Sequence, residues 1–197
     1  MAGDTYHHGD LRAAVLHEAS ELVLSGGVDA LSLRELARRA NVSHAAPAHH
    51  FGDKRGLLTA LAAEGFDMLT RALNEAGGDF LEVAVAYIRF ATQHPGHYAV
   101  MFLGDAVTAD DPELMLARGE AEAVLLRGQA SVEARGSAAD REFAPLAAFA
   151  LMHGLATLWN GHAISDRYKD TGADELARHL GRLLFSPGAP DAPDARK

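Results

Sequence analysis

Histidines are the side chains of this sequence best suited to metal binding or proton transfer, and several of the 11 are adjacent. His7-His8 is followed by Asp10, and His49-His50 lies in an alanine-rich segment. Consecutive residues of a helix point about 100° apart, and no histidine or carboxylate lies four residues after His7 or His8 to complete a chelating face. We therefore predict no metal site there and interpret the segment as the start of a helix.

Motifs of the common enzyme classes are missing from the sequence. It has no glycine-rich phosphate loop, no G-x-S-x-G nucleophile elbow, no paired carboxylates in a defined setting and no cysteine. We therefore predict no enzyme activity and no cofactor, and a histidine-based hydrolase remains a rival hypothesis. One loose group of imidazole and aromatic side chains either packs in the core or lines a ligand cavity: His94, His97, Tyr98, His153, Trp159 and His162.

The composition is that of an ordinary globular protein, with 48% hydrophobic and 23% charged residues in a chain of 197. No apolar run approaches the roughly 18 residues of a membrane helix, and residues 1–10 lack the blocks of a signal peptide, so we expect a cytoplasmic protein. The net charge of −9 argues against a protein that coats nucleic acid non-specifically. Residues 1–60, with six Lys/Arg and seven Asp/Glu, contribute only −1, so a DNA site would be local and near the N-terminus.

Hydrophobic periodicity predicts two helices in the first 40 residues. Apolar residues at i, i+4, i+8 and i+11 form one stripe of a helix over about residues 8–25: Leu11, Val15, Ala19 and Leu22. SLRE at 32–35 is a capping box, in which the Ser32 hydroxyl accepts the amide three residues on and Glu35 reaches back. A short second helix follows, and Asn41 in a left-handed conformation can close it.

The segment NVSHAAPAHHFGDK, which comes next, combines the alanine content of a helix with an internal proline. If Ser43 or His44 is the N-cap, Pro47 falls in the first turn, where its missing amide costs at most one hydrogen bond. Gly52 then ends a third helix of barely two turns, and Asp53 caps a fourth.

Two short helices joined by a tight turn predict a helix-turn-helix. Val42, Pro47 and Phe51 would face the core of this unit. The opposite face of the third helix would point away from the core and fits a DNA major groove: His44, Ala45, Ala48 and His49.

Three motifs, YHHGDLR at 6–12, ALSLRELARRANVS at 30–43 and HHFGDKRGLL at 49–58, closely resemble the N-terminal DNA-binding domain of the tetracycline-repressor (TetR) family. The resemblance implies that the third helix enters the major groove and that Lys54 contacts a phosphate. Carried over by position, it implies this set of DNA-binding residues: Ser32, Arg34, Ser43, His44, Ala45, Ala48, His49, His50 and Lys54. The chain departs from the family at Ala48, where an aromatic residue is usual, so His49 or His50 compensates for a missing contact or the affinity is lower.

Periodicity along the remaining chain predicts an all-α fold of about nine helices. Four later helices are expected: from residue 79 to the His-Pro-Gly at 94–96, from Pro112 to about Ala134, over 143–164 and over 173–185. Residues 136–142 are expected to form a turn. The expected domains are a helix-turn-helix domain at 1–53, a helical effector-binding and dimerisation domain at 54–186 and a disordered tail at 187–197.

RFATQHPGHYAVMF and ALMHGLATL resemble the ligand domain of a TetR subgroup named for a Trp-His-Gly motif. His153-Gly154 match this motif, whereas Phe149 stands in place of the tryptophan. We predict an effector cavity with the following candidate lining residues: Phe66, Tyr87, Phe90, Met101, Phe102, Met152, His153 and Trp159.

These observations predict a transcriptional regulator, most simply a repressor, that binds a palindromic operator as a homodimer and is released by an unknown small-molecule effector. One short recognition helix offers too few contacts, so two copies on a two-fold axis are expected. The resemblance places the dimer interface on the last two helices. No membrane and no cofactor is expected as a partner. The alternatives are a helical ligand-binding or interaction protein without a DNA role, and the hydrolase named above.

Overall fold

A computed structural model describes residues 8–129 and 138–185, and these residues form nine α-helices and no strand. The helices are α1 (His8–Gly26), α2 (Leu33–Arg39), α3 (Ala46–Phe51), α4 (Lys54–Glu75), α5 (Phe80–Gln93), α6 (Pro95–Met101), α7 (Pro112–Gln129), α8 (Ala138–Asn160) and α9 (Ala173–Phe185). Short 3-10 turns occupy Val28–Ala30, Gly104–Ala106 and Asp166–Thr171. The predicted all-α class is confirmed.

The chain divides into two compact units. The first unit holds the described residues up to Leu69 together with His94–Ala121, and the second holds Thr70–Gln93 and the described residues from Glu122 onward. These bounds differ from the expected domains because α6 and the first part of α7 cluster with the N-terminal helices. The functional division into domains stays a prediction, and its tail at 187–197 lies outside the described residues.

In the first unit, α1 packs against α6 and α2, and α2 packs against α3. The predicted stripe of α1 is buried at Val15, Ala19 and Leu22, and the predicted bounds of this helix are confirmed to within one residue. The fully buried side chains of this unit include the following leucines: Leu16, Leu36, Leu57, Leu61 and Leu69. Removal of these apolar surfaces from water is the main force that holds the short helices α2 and α3 in place.

In the second unit, α5 lies against α8 and α9 and is buried on nearly every side. Two ion pairs tie α5 to α9 at the surface, Arg89 with Asp174 at 2.6 Å and Glu82 with Arg178. Hydrogen bonding from Arg178 lowers the pKa of Glu82. The predicted range of the last helix, Ala173–Phe185, is confirmed.

The prediction for α8 was wrong at both ends. The expected turn at 136–142 is helical from Ala138 onward, because the residues after the Gly-Ser pair are mostly good helix formers. At the other end α8 stops at Asn160, although the apolar pattern continues to Ile164. His162 adopts φ 54°, and the Ala163 amide bonds the Leu158 carbonyl at 2.8 Å, which is the Schellman geometry of a helix end.

Candidate nucleic-acid interface

Hydrogen bonds define both ends of α2, including the turn that leads from α2 to α3. The Ser32 hydroxyl accepts the Glu35 amide at 3.2 Å, which confirms Ser32 as the N-cap. At the other end Asn41 has φ 53°, and the Val42 amide bonds the Ala37 carbonyl at 3.0 Å, a second Schellman arrangement. The predicted left-handed Asn41 is therefore confirmed, and it turns the chain sharply toward α3.

The other half of the predicted capping box was wrong. The Glu35 carboxylate accepts hydrogen bonds from Arg38 at 2.6 Å and 2.9 Å and from Arg39 at 3.0 Å, and among the described residues these are its side-chain partners. Hydrogen bonds from Arg38 and then Arg39 lower the pKa of Glu35 to about 2. Pairing with two arginines at i+3 and i+4 competes successfully with the bond back to the Ser32 amide.

The start of α3 also differs from the prediction, because its N-cap is Ala45 and not Ser43 or His44. The Ser43 carbonyl accepts only the Ala46 amide, which closes a four-residue β-turn, since Pro47 has no amide hydrogen to offer it. The first α-helical bond of this segment runs from the His49 amide to the Ala45 carbonyl at 2.9 Å. α3 is consequently only six residues long.

The two faces of α3 are arranged as the sequence predicts. Pro47 and Phe51 are buried and Val42 is half-buried, so they anchor the segment to the first unit. The residues of the opposite face are all exposed: His44, Ala45, Ala48 and His49. His50 is half-buried at the edge between the faces. The outer face thus offers two imidazoles and two methyl groups on a helix narrow enough for a major groove.

The junction between α3 and α4 is tight. The Asp53 carboxylate accepts the Gly56 amide at 2.8 Å, which confirms the predicted N-cap of α4. A Cβ at Gly56 would lie 2.0 Å from the Phe51 carbonyl oxygen, so only glycine allows the end of α3 to approach α4 this closely. Lys54, the first residue of α4, therefore follows the end of α3 across a tightly packed junction.

Several of the cationic side chains near the helix-turn-helix already bind other groups of the protein. Arg38 and Arg39 are paired with Glu35, and Arg55 donates to the Val107 carbonyl at 2.9 Å. Within the part of the chain that the structure describes, neither Arg34 nor Lys54 forms an ion pair, and Arg34 is exposed while Lys54 is half-exposed. These two side chains are the cationic candidates for phosphate contacts among the predicted residues, and Ser32 and Ser43 are exposed as well.

Two family models match this chain. The one described as "Bacterial regulatory proteins, tetR family" matches residues 15–61, which include α2 and α3. The one described as "Tetracyclin repressor-like, C-terminal domain" matches residues 80–184, more than half of the chain. The chain belongs to the TetR family. The predicted family is thereby confirmed, while the Trp-His-Gly subgroup stays a prediction.

Individual relatives agree with this assignment. The uncharacterized HTH-type transcriptional regulator YobS of Bacillus subtilis is 30% identical over 95 residues, which are 45% of this chain and 50% of YobS. The HTH-type transcriptional repressor Rv3405c of Mycobacterium tuberculosis is 36% identical over 77 residues, 39% of this chain and 41% of that protein. The chain thus spans about half the length of the curated relatives it matches. A solved structure of a Rhodococcus sp. RHA1 protein of unknown function is similar at 34% identity and a TM-score of 0.71, with 91% of this chain and 96% of that one covered.

Other candidate sites in this TetR-family chain receive less support. Among the described residues no group of three metal-ligating side chains comes together, while the side chains of His7, His8 and Asp10 lie outside the described part. No helix of the described residues is long and apolar enough to cross a membrane.

The candidate ligand-lining residues fall into both units. In the first unit, Phe66 and Phe102 meet edge to face with ring centroids 5.8 Å apart, and the Arg118 guanidinium lies 5.5 Å from the Phe66 ring centroid. Met101 is fully buried and its sulfur lies against Gly65, while Phe102 is 38% exposed.

In the second unit, the remaining candidates are Tyr87, Phe90, Met152, His153 and Trp159. The Tyr87 hydroxyl lies 3.2 Å from His153 Nδ1, and Phe149 stacks on the His153 ring at 5.4 Å between centroids. Burial lowers the pKa of His153, which favours a neutral imidazole. Phe90 and Met152 are buried and Trp159 is half-buried.

A hydrogen-bonded set of Ser20, His97 and Glu64 was not predicted from the sequence. Its members come from α1, α6 and α4, and only His97 belonged to the loose group of imidazoles noted above. Ser20 and His97 are 8% and 7% exposed, so the hydroxyl has no access for a substrate and the set does not support the hydrolase hypothesis. Because the hydrogen bonds of His97 join residues that are 33 and 77 positions apart, no local sequence pattern predicts them.

Proposed function

We propose that this TetR-family chain is a transcriptional repressor that binds a two-fold symmetric operator as a homodimer and is released by a small-molecule effector. It would act in the cytoplasm, where bacterial DNA is reached without crossing a membrane. Its proposed DNA-binding residues are those predicted from the sequence. They are Ser32, Arg34, Ser43, His44, Ala45, Ala48, His49, His50 and Lys54.

The observation that carries the proposal is the outer face of α3. Pro47 and Phe51 are buried on the inner face, and His44, Ala45, Ala48 and His49 of the outer face are all exposed. A short helix with small side chains can approach base edges closely, and its histidines can donate hydrogen bonds to base acceptors or phosphate. Arg34 and Lys54 supply charge for phosphate contacts.

The homodimer is supported by apolar side chains that α8 and α9 leave in water. Phe143, Leu146 and Leu158 on α8 are 62%, 64% and 49% exposed, and Leu183 on α9 is 70% exposed. Large apolar side chains exposed on two helices that pack together are typical of a protein interface. Two copies joined here would present two recognition helices to one operator.

The effector is supported by the candidate lining residues of the second unit. An aromatic stack with a neutral histidine and a tyrosine hydroxyl matches the mixture of apolar walls and few polar groups found in ligand sites. For release from DNA, the effector must bind the DNA-competent and the released states with different affinities. Coupling of about 1–3 kcal/mol corresponds to a 5- to 150-fold change in DNA affinity.

Selection from a pool of random duplexes with the full-length protein tests the proposal. We expect an inverted repeat to be enriched, and fluorescence anisotropy with that duplex to give a dissociation constant of about 10⁻⁸ M or tighter at physiological salt, with two chains per duplex. His49→Glu, which adds negative charge to the outer face of α3, should abolish this binding. Ala123→Glu, at an exposed position of α7, brings in the same side chain and serves as the matched control.

The same experiment separates the alternatives. A protein that enriches no duplex and binds mixed-sequence DNA no better than His49→Glu would contradict the proposed function. The helical ligand-binding protein without a DNA role would then be the better hypothesis.

A further inference from the structure

One buried imidazole in the first unit joins two helices at once. His97 on α6 lies with Nδ1 3.2 Å from the Ser20 hydroxyl oxygen of α1 and with Nε2 3.0 Å from a carboxylate oxygen of Glu64 on α4. All three side chains belong to the same compact unit. The His97 ring therefore bridges α1 and α4.

The chemistry of Glu64 fixes the role of the ring nitrogen Nε2. An ionised Glu64 can only accept, so Nε2 carries the hydrogen and donates it. In a neutral ring Nδ1 then accepts the Ser20 hydroxyl hydrogen, and in a charged ring Nδ1–H donates to the same oxygen. The hydrogen bonds to Ser20 and Glu64 can therefore form with either the neutral or the charged imidazole, so the ring can link α1 to α4 in both protonation states.

The residue before His97 brings α6 against the backbone of α1. A Cβ at Gly96 would lie 2.3 Å from the Ser20 carbonyl oxygen and 2.7 Å from its hydroxyl oxygen. The absent side chain lets α6 reach α1 closely enough for the His97 bond to form. Gly96 and His97 together specify this approach.

A second polar attachment joins the following segment to α4. Arg55 donates to the Val107 carbonyl at 2.9 Å, and the Thr108 amide donates to the Thr59 hydroxyl at 2.9 Å. The Thr59 hydroxyl in turn donates to the Arg55 carbonyl at 2.8 Å. Residues 94–108 are thus held to α1 by one hydrogen bond and to α4 by three.

The two helices that His97 joins are the supports of the helix-turn-helix. α1 packs against α2, and α4 begins three residues after the end of α3 at a junction with no room for a side chain at Gly56. A change in the spacing of α1 and α4 would therefore change the angle at which α3 is presented. Phosphate and base contacts need that angle to be fixed before binding.

We propose that His97 is a positioning residue for DNA binding, acting with Ser20 and Glu64 to set the spacing of α1 and α4 beneath α3. The inference rests on the proposed function. It gives residues 94–108 a role in operator recognition although they follow α5 of the second unit in sequence. Since His97 itself is only 7% exposed, its proposed role is positioning and not direct contact with DNA.

The test compares operator affinity, salt dependence and stability for His97→Leu and His97→Gln in the full-length protein. His97→Leu leaves Ser20 and Glu64 without the ring and should weaken operator binding by about 5- to 150-fold, the usual range for coupling between separate sites. The slope of log affinity against log salt should not change, because no phosphate contact is lost. His97→Gln, whose amide can donate to Glu64 and accept from Ser20, should recover most of the affinity.

Controls distinguish positioning from a loss of stability. Val85→Ala shortens a fully buried side chain of α5 in the second unit and should lower the melting temperature without changing the operator affinity of the folded protein. If His97→Leu does not fold, Ser20→Ala and Glu64→Gln carry the test, and each should weaken operator binding by severalfold at an unchanged salt slope.

The possible failures are separable. Wild-type protein that selects no duplex overturns the proposed function and this inference together. Wild-type protein that binds its operator, with the His97, Ser20 and Glu64 variants all within twofold of it, overturns the inference alone. A salt slope that falls in His97→Leu would show that the ring contacts phosphate, which also contradicts a positioning role.

Discussion

Two neighbouring residues at the start of α4 differ in what their charges are used for. Lys54 is half-exposed and forms no ion pair within the described residues, whereas the Arg55 guanidinium donates to the Val107 carbonyl. Variants at these two positions can therefore distinguish a loss of phosphate contact from a loss of the attachment that positions α4. The sequence alone could not make this distinction, because the partner of Arg55 lies 52 residues away.

We expect Lys54→Ala to weaken binding to every duplex and to reduce the salt slope by about one unit, since one phosphate contact is lost. Arg55→Gln should weaken binding with the slope unchanged, because its loss disturbs the attachment of α4 and not a phosphate contact. Anisotropy titrations at four or more salt concentrations measure both values. An unchanged slope for Lys54→Ala would reject the contact.

Ala48 is the position at which the chain departs from its family. Its side chain is exposed in the middle of the outer face of α3. Ala48→Tyr should therefore leave the free energy of unfolding within about ±0.5 kcal/mol, as exposed substitutions usually do. Operator affinity should change by roughly 1 kcal/mol, the order of one hydrogen bond.

Ala48→Phe separates the ring from the hydroxyl in this experiment. If the hydroxyl makes the new contact, the phenylalanine variant should bind the operator like wild type. Thermal melts and titrations on the same duplex decide the outcome, and a large loss of stability in either variant would contradict the exposed orientation of α3.

The burial of His153 should make the free energy of unfolding depend on pH. Burial lowers its pKa, so the folded protein binds the proton less readily than the unfolded chain, whose histidines titrate near 6.5. A depressed histidine pKa therefore makes the free energy of unfolding fall as the pH drops through about 6.5, and the loss is absent above it. Urea unfolding at pH 7.5 and 5.5 should show a smaller decrease in His153→Gln than in wild type. His17→Gln, exposed on α1, is the control, and an equal decrease in all three proteins would contradict the assignment.

At the scale of elements, the sequence predicted those helix ends that are fixed by hydrogen bonds between residues close in the chain. The Ser32 cap and left-handed Asn41 are both fixed by hydrogen bonds to partners within five residues, and both are found as expected. The start of α3 and the end of α8 depend on competition between nearby bonds: Pro47 removes one amide, and His162 adopts a conformation usually taken by glycine or asparagine. Such choices are decided by which local hydrogen bonds form, and the periodicity of apolar residues does not report them.

The same limit applies to the candidate site. Which face of α3 is exposed follows from its amphipathic pattern and was predicted correctly. The contacts that support it from α6 were not, because they join residues far apart in the chain. The sequence placed residues 94–108 in the ligand domain, whereas their hydrogen bonds lie in the first unit.

The α3–α4 junction gives a prediction at this scale. Gly56→Ala places a Cβ about 2.0 Å from the Phe51 carbonyl oxygen, and the clash should destabilise the protein by about 1–3 kcal/mol, as overpacking does. Operator binding should weaken as well, because the end of α3 must move. Gly119→Ala on α7 has no atom within 4 Å of its new Cβ and should stabilise the protein by up to about 1 kcal/mol. Urea unfolding measures both, and changes of the same sign would contradict the close approach at Gly56.

For the molecule as a whole, the proposed homodimer predicts that one surface, on α8 and α9, joins the two copies. Leu146 on α8 and Leu116 on α7 are exposed to nearly the same extent, 64% and 66%, but only Leu146 shares its helix with the apolar Phe143 and Leu158 of the proposed interface. Burial of a leucine contributes about 1.5–3 kcal/mol, and a carboxylate at a buried position costs more than is gained. The two leucines are therefore a matched pair.

We expect Leu146→Glu to sediment as a monomer and Leu116→Glu to remain a dimer at the same concentration. The monomer should retain its affinity for a single half-site duplex, because α3 and its supports lie in the other unit, and should lose the additional affinity for the full inverted repeat. Analytical ultracentrifugation and titrations with both duplexes measure the two effects. A dimeric Leu146→Glu together with a monomeric Leu116→Glu would move the interface to α7, and a monomer that still binds the full repeat like wild type would show that dimerisation does not drive operator binding.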